Sequence, residues 1–386
     1  MTRLIEFVIA LLLVAVLFVL VGVFLPSHRY VRHSVETNRP VRLVYDLLNG
    51  FQRFDEWHPK RMHDPAIRYT MEGEPRGLGA VLRYESDNPK IGTGSLKVTE
   101  SVQDERIEWA AESPAYGTNK TYVFTLDDRG KTVDINWEYD VDYGWNLFGR
   151  YAGLYIDRTV GDDMRLGLTN LTGLLATIPN FNYDNPMVDV QESEVQSQTA
   201  LILATSADRN ITAVEEELDA SIRKIRAAIA SNGLEAAGPA RLITVEFADK
   251  KYTFEVAIPV RKPDPAAAAA EATAAAEAPA AEAPAAEAPA SPGAAAAPAA
   301  PAVAVAPLEG LNLPEGIVSG VTYGGRVVMT DYAGHPASLP LIRDMLRAYA
   351  ATHGLNVHDR GYEEYLTEIT ETAAEDSTFK VYWPIR

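Results

Sequence analysis

One run of low-complexity sequence sets the main constraint on how this chain can fold. Residues 263–307 are almost entirely alanine, proline and glutamate, and they lack aromatic and long aliphatic side chains over most of their length. Such a segment cannot bury enough apolar surface to offset the entropy lost on ordering. Similar sequences border it, because YTFEVAIPVR (252–261) precedes the run and STFKVYWPIR (377–386) ends the chain. The sequence therefore predicts a linker that either separates two domains or interrupts one.

The amino terminus carries a long uncharged segment, FVIALLLVAVLFVLVGVFL (7–25). About 20 apolar residues are needed to cross the hydrocarbon core of a bilayer as a helix. A cleaved signal peptide is the alternative, but this apolar stretch exceeds the usual signal length and LPSH (25–28) is a poor cleavage site. We therefore predict a single-pass anchor at residues 1–27, embedded in the cell membrane, with a large soluble part after it.

The membrane face of that soluble part stays open. Arginines follow the span at Arg29, Arg32, Arg39 and Arg42, whereas Arg3 precedes it. By the positive-inside rule this distribution favours a cytoplasmic carboxyl side, unless the later arginines belong to a folded strand. The alanine- and proline-rich linker resembles envelope-spanning linkers, which favours the opposite side.

Composition excludes several classes of function. The net charge is −18 with a pI near 4.9, so a nucleic-acid-binding surface is not expected. There are no cysteines, which excludes disulfides, thiolate nucleophiles and cysteine-ligated metals. The run DEWHPKRMHD, with Asp55, His58, His63 and Asp64, lacks the spacing of a zinc motif, so loop residues are favoured over a metal site. No metal or cofactor is predicted.

After the anchor, alternating and helical patterns predict an α+β domain. A strand at 30–37 leads to a short helix with apolar Val41, Val44, Leu47 and Leu48. Strands follow at 66–72, 79–85, 94–100, 106–111, 121–127 and 132–141. A long amphipathic helix over 146–177, stopped by Pro179, closes the domain.

This order resembles the START-related polyketide cyclase and lipid-transport (SRPBCC) superfamily, also called the helix-grip fold. The phrases RPVRLVYD (39–46), FDEWHP (54–59) and GLGAVLRY (77–84) resemble that family's motifs, and the resemblance covers residues 28–180. It implies a curved sheet gripping the long helix, with an apolar cavity for a lipid, polyketide or hormone. Trp109 and Trp137 are candidate ligand contacts, although aromatic side chains on strands are more often core.

The remainder of the chain reads as a duplicated strand–helix–hairpin unit. A strand at 192–204, a helix at 211–231 and strands at 241–247 and 252–260 form the first copy. Beyond the linker, a strand at 324–331, a helix at 338–352 and strands at 362–369 and 377–385 repeat the order. FEVAIPVR (254–261) matches FKVYWPIR (379–386), which indicates an internal duplication.

The duplicated unit resembles the AraC-type effector-binding, or gyrase-inhibitor-like (GyrI-like), domain. The resemblance covers residues 190–262 and 315–386 and implies a pseudo-twofold domain with a cleft for a small apolar or cationic molecule above a glutamate. Its acidic and aromatic candidates are Glu364, Tyr362, Tyr365, Glu255, Tyr382 and Trp383. Lys380 stands where the second copy of that family usually carries a glutamate, which departs from the acidic cleft.

These patterns predict a membrane-anchored protein with two ligand-binding modules; a binding role is favoured over an enzymatic one, and whether any catalysis occurs stays open. The first module would hold a lipid or polyketide-like molecule, and the second a small hydrophobic or cationic effector. The alternative is a hydrolase or cyclase acting on a small hydrophobic molecule, with Glu364 as general base, although no nucleophile–His–acid set, phosphate loop or metal motif supports it. A scaffold with closed cavities is the third possibility. The oligomeric state stays open.

Overall fold

The computed structural model describes residues 2–186, 188–263, 305–367 and 374–386. The predicted linker at 263–307 therefore lies outside the described residues except at its two ends. The chain forms two compact units: the first comprises Met1–Pro186 and Asp344–Val357, and the second comprises Met187–Arg343 and His358–Arg386. The predicted second domain overlaps the second unit but also includes Asp344–Val357, so its boundaries stay a prediction.

Helix α1 (Thr2–Phe24) begins the first unit. Within the described residues it is the one helix that is long and apolar enough to cross a membrane, with a mean hydropathy of 3.3 and almost no buried surface. An uncleaved anchor and a signal sequence both meet that description.

The first unit contains a seven-stranded antiparallel sheet in the order β1-β7-β6-β5-β4-β3-β2. The strands are β1 (His28–Thr37), β2 (Arg68–Gly73), β3 (Ala80–Glu85), β4 (Thr93–Val102), β5 (Arg106–Glu112), β6 (Thr118–Asp128) and β7 (Val133–Asp142), and the helices between β1 and β2 are α2 (Val41–Leu48), α3 (Phe54–Trp57) and α4 (Lys60–His63). Irregular pairing at Val98/Glu100 and Thr118/Thr121 adds the local bends that let a sheet curve. The predicted strands are confirmed, with ends shifted by up to three residues.

The predicted single helix over 146–177 is wrong, because the segment is interrupted. It consists of α5 (Leu147–Ala152), a 3₁₀ turn (Gly153–Tyr155), a π turn (Asp157–Gly161) and α6 (Asp162–Thr177). Glycines let the interrupted part pass close to the sheet: a Cβ at Gly153 would lie 3.1 Å from Cγ of Arg29 on β1. Periodicity could not show this, since the constraint comes from residues distant in sequence.

Helix α6 packs its apolar side against the sheet. Met164, Leu168, Leu171 and Leu175 are at most 2% exposed and recur every three or four residues. This face closes the domain as the sequence predicts. The first unit is therefore an antiparallel sheet wrapped around a carboxyl-terminal helix.

The second unit is built on a sheet in the order β13-β9-β12-β11-β15-β16-β14-β8, with β10 pairing β12. The strands are β8 (Gln191–Val195), β9 (Thr199–Asp208), β10 (Glu235–Ala236), β11 (Ala240–Phe247), β12 (Lys251–Arg261), β13 (Ile317–Val321), β14 (Gly325–Ala333), β15 (Tyr362–Tyr365) and β16 (Thr378–Pro384). The predicted strand at 192–204 is two strands that pair with different partners. The strand predicted at 362–369 ends at Tyr365, and part of the range lies outside the described residues.

Helix α7 (Ile211–Ser231) has the bounds that the sequence predicts, and the side chain of Asn210 caps it by accepting from the backbone of Ala213 at 2.9 Å. Its buried face includes Leu218, Ile222 and Ile225, packed on β9 and β12. The division between the two units falls within α8 (Leu339–Thr352), whose first residues belong to the second unit.

Candidate ligand-binding sites

The first unit encloses a cavity of about 960 Å³ between its sheet and the segment that leads into α6. Strand residues contribute aromatic walls, the turn and helix contribute Val160 and Met164, and the region around α4 contributes polar groups. The lining includes Tyr84, Tyr122, Trp137, Tyr139, His58, Lys60 and His63. Further charged groups, Lys90, Arg158, Asp162 and Asp163, also line it, so the cavity offers a ligand both aromatic walls and polar contacts.

A dense aromatic cluster supports one wall of this cavity. Trp109 is fully buried and packs against Phe124, at a ring separation of 4.7 Å, and Phe124 stacks on Trp137 at 5.1 Å. Trp137 lines the cavity, whereas Trp109 is not among the lining residues. Ligand contact by either tryptophan stays a prediction.

His58 and Lys60 place two nitrogen groups at the cavity. The His58 ring stacks on Phe54 at 4.3 Å, and its Nδ1 accepts from the backbone N–H of Lys60 at 3.3 Å. Burial, reinforced by Lys60, holds the pKa of His58 well below its usual value, so the imidazole is neutral at pH 7. Burial also lowers the pKa of the Lys60 ammonium, which lies 4.5 Å from the ring centroid of Tyr84.

The acidic and histidine residues of the DEWHPKRMHD run do not converge. His63 pairs with Asp163 at 2.8 Å, Asp55 pairs with Arg61, and Asp64 accepts from Ser86 at 2.5 Å. Among the residues that the structure describes, no group of three or more histidine or acidic side chains is arranged to hold a metal ion.

The second unit contains a smaller cavity of about 390 Å³. It lies between the first turns of α7 and α8 and the middle of the sheet. Its aromatic lining comes from Phe247, Tyr252 and Tyr365, and its charged lining includes Arg343 and Glu363.

Glu363 and Arg343 form a buried ion pair in this cavity. Glu363 is 1% exposed, and its Oε1 lies 3.1 Å from Nε of Arg343. Burial raises the pKa of Glu363, and the Arg343 guanidinium opposes that shift. Arg343 also donates to the Tyr252 hydroxyl at 3.1 Å and lies 5.7 Å from the Phe247 ring centroid. The chain's own cation thus neutralises the cavity carboxylate.

Glu364 points to the other face of the sheet. Its Oε1 accepts from Nε of Arg241 at 2.9 Å, and its Oε2 accepts from the Tyr382 hydroxyl at 3.0 Å. Tyr362 stacks on Tyr382 at 4.7 Å on the same face. Glu364 does not line the 390 Å³ cavity, so its predicted role as ligand contact or general base stays a prediction.

The other sequence candidates are divided between the two faces. Glu255 pairs with Arg360 at 3.0 Å and, with Tyr362, lines a small pocket of about 80 Å³. Tyr365 lies in the 390 Å³ cavity, and Trp383 is half-buried beside Gly361. The sequence pattern indicates Glu364 and not Glu363. Neighbouring residues of a strand face opposite sides of the sheet, and the pattern does not tell which of the two glutamates lies on the side covered by the helices.

A curved antiparallel sheet around a closing helix, with a cavity between them, is consistent with a helix-grip fold in the first unit. Residues 28–176 match a family described as "Polyketide cyclase / dehydrase and lipid transport". The match agrees with the SRPBCC resemblance and suggests binding of a hydrophobic ligand. No curated protein matches the chain.

Solved structures overlap the chain only loosely. A protein of Thermobifida fusca is 20% identical, with a TM-score of 0.31, and the match covers 37% of this chain and 90% of that one. The Zhui aromatase/cyclase of a Streptomyces species is 14% identical, with a TM-score of 0.30, covering 38% and 92%. The EcmrR C-terminal domain is 10% identical, with a TM-score of 0.36, covering 52% and 98%. These TM-scores are too low to support a functional inference.

Proposed function

We propose that this protein is a membrane-anchored binding protein whose helix-grip domain holds a lipid or polyketide-like molecule. The cavity of about 960 Å³ carries the proposal, because its volume and aromatic lining match those of sites for ligands of that size. The family matched by residues 28–176 includes lipid transport in its description. Helix α1 supplies the anchor, since its exposed apolar surface has no cover among the described residues.

The second unit supplies a separate cleft for a small hydrophobic effector. Its strand order supports the duplicated GyrI-like architecture. In each copy the third strand lies between the first and the second, so that β9-β12-β11 of the first copy is followed by β15-β16-β14 of the second, in reverse order. Phe247, Tyr252 and Tyr365 favour an apolar or aromatic ligand. A cationic effector would have to compete with Arg343 for Glu363, so a neutral molecule is favoured.

Native mass spectrometry of the full-length chain extracted in mild detergent tests the first site. We expect lipid-sized adducts, and we expect Val160→Trp to reduce their abundance because the indole occupies part of the cavity. Leu78→Trp is the matched control, since Leu78 is exposed and does not line the cavity. An adduct-free wild-type chain, or adducts as abundant in Val160→Trp as in the wild type, would contradict the proposal.

A further inference from the structure

Among the described residues that line the cavity of the first unit, Lys60 is a partly buried cation without an ion-pair partner. Lys60 is partly buried and lines the cavity beside His58 and Tyr84. Within the described part of the chain, no carboxylate lies within ion-pair distance of its ammonium. The two carboxylates that line the same cavity have other partners, because Asp163 pairs with His63 at 2.8 Å and Asp162 pairs with Arg165. The ammonium is instead stabilised by the Tyr84 ring at 4.5 Å.

The other cations at this cavity differ in their environment. Lys90 and Arg158 line the cavity but are exposed, so water solvates their charge. His58 is 6% exposed and stacked on Phe54, which disfavours protonation. Lys60 is therefore the group whose charge would gain most from an anion brought in by a ligand, because partial burial weakens its solvation.

We propose that the cavity binds an anionic amphiphile of the fatty-acid kind, with its carboxylate paired to the Lys60 ammonium and its chain against Trp137, Tyr139 and Met164. This inference rests on the proposed function of the same site. The aromatic walls bind the hydrocarbon part without regard to charge, while Lys60 selects the headgroup. A charge-assisted hydrogen bond in a poorly solvated site gives the acid an advantage over a neutral molecule of equal length.

The test compares hexadecanoic acid with hexadecanol, which share a chain and differ in headgroup. Each is added to the full-length chain in a short-chain non-ionic detergent, and bound fractions are read by native mass spectrometry. Lys60→Met should weaken acid binding by about 30-fold and leave alcohol binding unchanged, because it removes one member of a desolvated charge pair. Lys60→Arg should retain the preference, and Lys97→Met is the matched control, because Lys97 is exposed and does not line the cavity.

The outcomes separate this inference from the proposed function. Equal binding of acid and alcohol by the wild type, or unchanged acid binding by Lys60→Met, overturns the selection by Lys60 while leaving a hydrophobic site. Absence of both ligands from the wild type contradicts the site itself. Alcohol binding by Lys60→Met reports that the variant is folded.

An independent observation concerns the segment around α5, which exposes large apolar side chains. Trp145 is 79% exposed, Phe148 66%, Leu154 51% and Tyr155 60%. We call these four residues the aromatic surface. An exposed apolar group of this size on one short segment is typical of a binding surface.

The aromatic surface adjoins the carboxyl-terminal end of α1. Arg150 donates to the backbone carbonyls of Val23 at 2.8 Å and Leu25 at 3.1 Å, and the Tyr151 hydroxyl donates to the carbonyl of Phe18 at 2.8 Å. The Phe18 ring stacks on Tyr151 at 4.5 Å and lies 5.3 Å from Phe148. Arg150 thus satisfies carbonyls that the end of a helix leaves free.

We infer that the aromatic surface lies in the headgroup region of the bilayer, an inference that rests on the proposed function of α1 as a membrane anchor. Its continuity with the apolar surface of α1 identifies the lipid bilayer as the occupant. Tryptophan and tyrosine prefer this depth because one end of each ring system is apolar and the other forms hydrogen bonds. The turn that contains Arg158 and borders the cavity follows the aromatic surface directly, so this placement would bring the ligand site close to lipid.

Depth-dependent quenching of Trp145 tests this placement. The full-length protein is reconstituted into nanodiscs with lipids brominated either near the headgroup or near the end of the acyl chain. The emission of Trp145 is obtained by subtracting the tryptophan fluorescence of Trp145→Phe from that of the wild type. Stronger quenching by the shallow bromines is expected. The inference is overturned if Trp145 is exposed to water and unquenched while the chain itself resists extraction from the membrane by carbonate. It is also overturned if the chain forms a dimer that buries the aromatic surface.

Discussion

Replacing Glu364 by glutamine tests whether this residue holds the second unit together. Glu364 and Arg241 are directly opposite each other on β15 and β11, and both are below 10% exposed. The substitution keeps the side-chain size and an acceptor oxygen for Arg241, but it removes the charge opposite a buried guanidinium. The expected effect is loss of stability, because the remaining cation is poorly solvated.

The magnitude follows from the contacts that remain. Removing one member of a buried ion pair costs about 3–5 kcal/mol. Arg241 retains its hydrogen bond to Gln198 Oε1 at 2.7 Å, and the new amide oxygen still accepts a hydrogen bond. We therefore expect a loss of about 2–3 kcal/mol in the free energy of unfolding of the second unit. This loss lowers the unfolding midpoint by about 4–12 °C.

Hydrogen exchange of the full-length chain in micelles can assign the effect to the second unit. Amides of β11, β15 and β16 should lose protection, while those of β5 and β6 should not. Glu255→Gln is the control, because the partner of Glu255, Arg360, is 41% exposed and the expected loss is about 0–1 kcal/mol. If Glu364→Gln behaves like Glu255→Gln, the structural role is refuted.

Three further predictions follow from the same contacts. The pKa of His58 is lowered in the folded chain, so the unfolded chain binds the extra proton as pH falls below about 6.5. The free energy of unfolding of the wild type should therefore drop by about 1 kcal/mol from pH 7 to 5.5 relative to that of His58→Phe, as measured by denaturant titration. An equal dependence of stability on pH in the two chains would contradict this. Arg343→Met should destabilise the second unit by about 3 kcal/mol by leaving Glu363 unpaired, and a double-mutant cycle with Glu363→Gln should recover most of the loss; additive effects would rule out coupling. Arg150→Met should speed amide exchange at the end of α1, whereas the exposed Arg158→Met should not.

Sequence patterns located many of the elements but not their interruptions. Helix α7 was predicted to its terminal residues, because Asn210 caps it and Asn232-Gly233 stop it. The closing helix of the first unit was predicted as continuous, since its apolar spacing persists through the 3₁₀ and π turns. Those turns reflect close approach to β1, which lies far away in sequence.

The candidate sites were predicted less completely, for the same reason. The sequence identified the aromatic strands of the first cavity, but Lys60 looked like one charge in a polar loop until the fold placed it beside Tyr84. The sequence selected Glu364, whereas Glu363 lies in the second cavity. Alternation along β15 places the carboxylates of Glu363 and Glu364 on opposite faces of the sheet. Only the packing of α7 and α8 decides which face has the cavity.

By itself, the sequence determined the properties that depend on local composition: an apolar helix long enough to span a bilayer, alternating strands, an α+β class and a linker without material for a core. The tertiary structure decided which polar groups are buried, which are paired and which meet a cavity. Burial and pairing depend on neighbours contributed by distant strands and helices, so the character of Lys60, Glu363 and Arg150 emerges only when those elements pack.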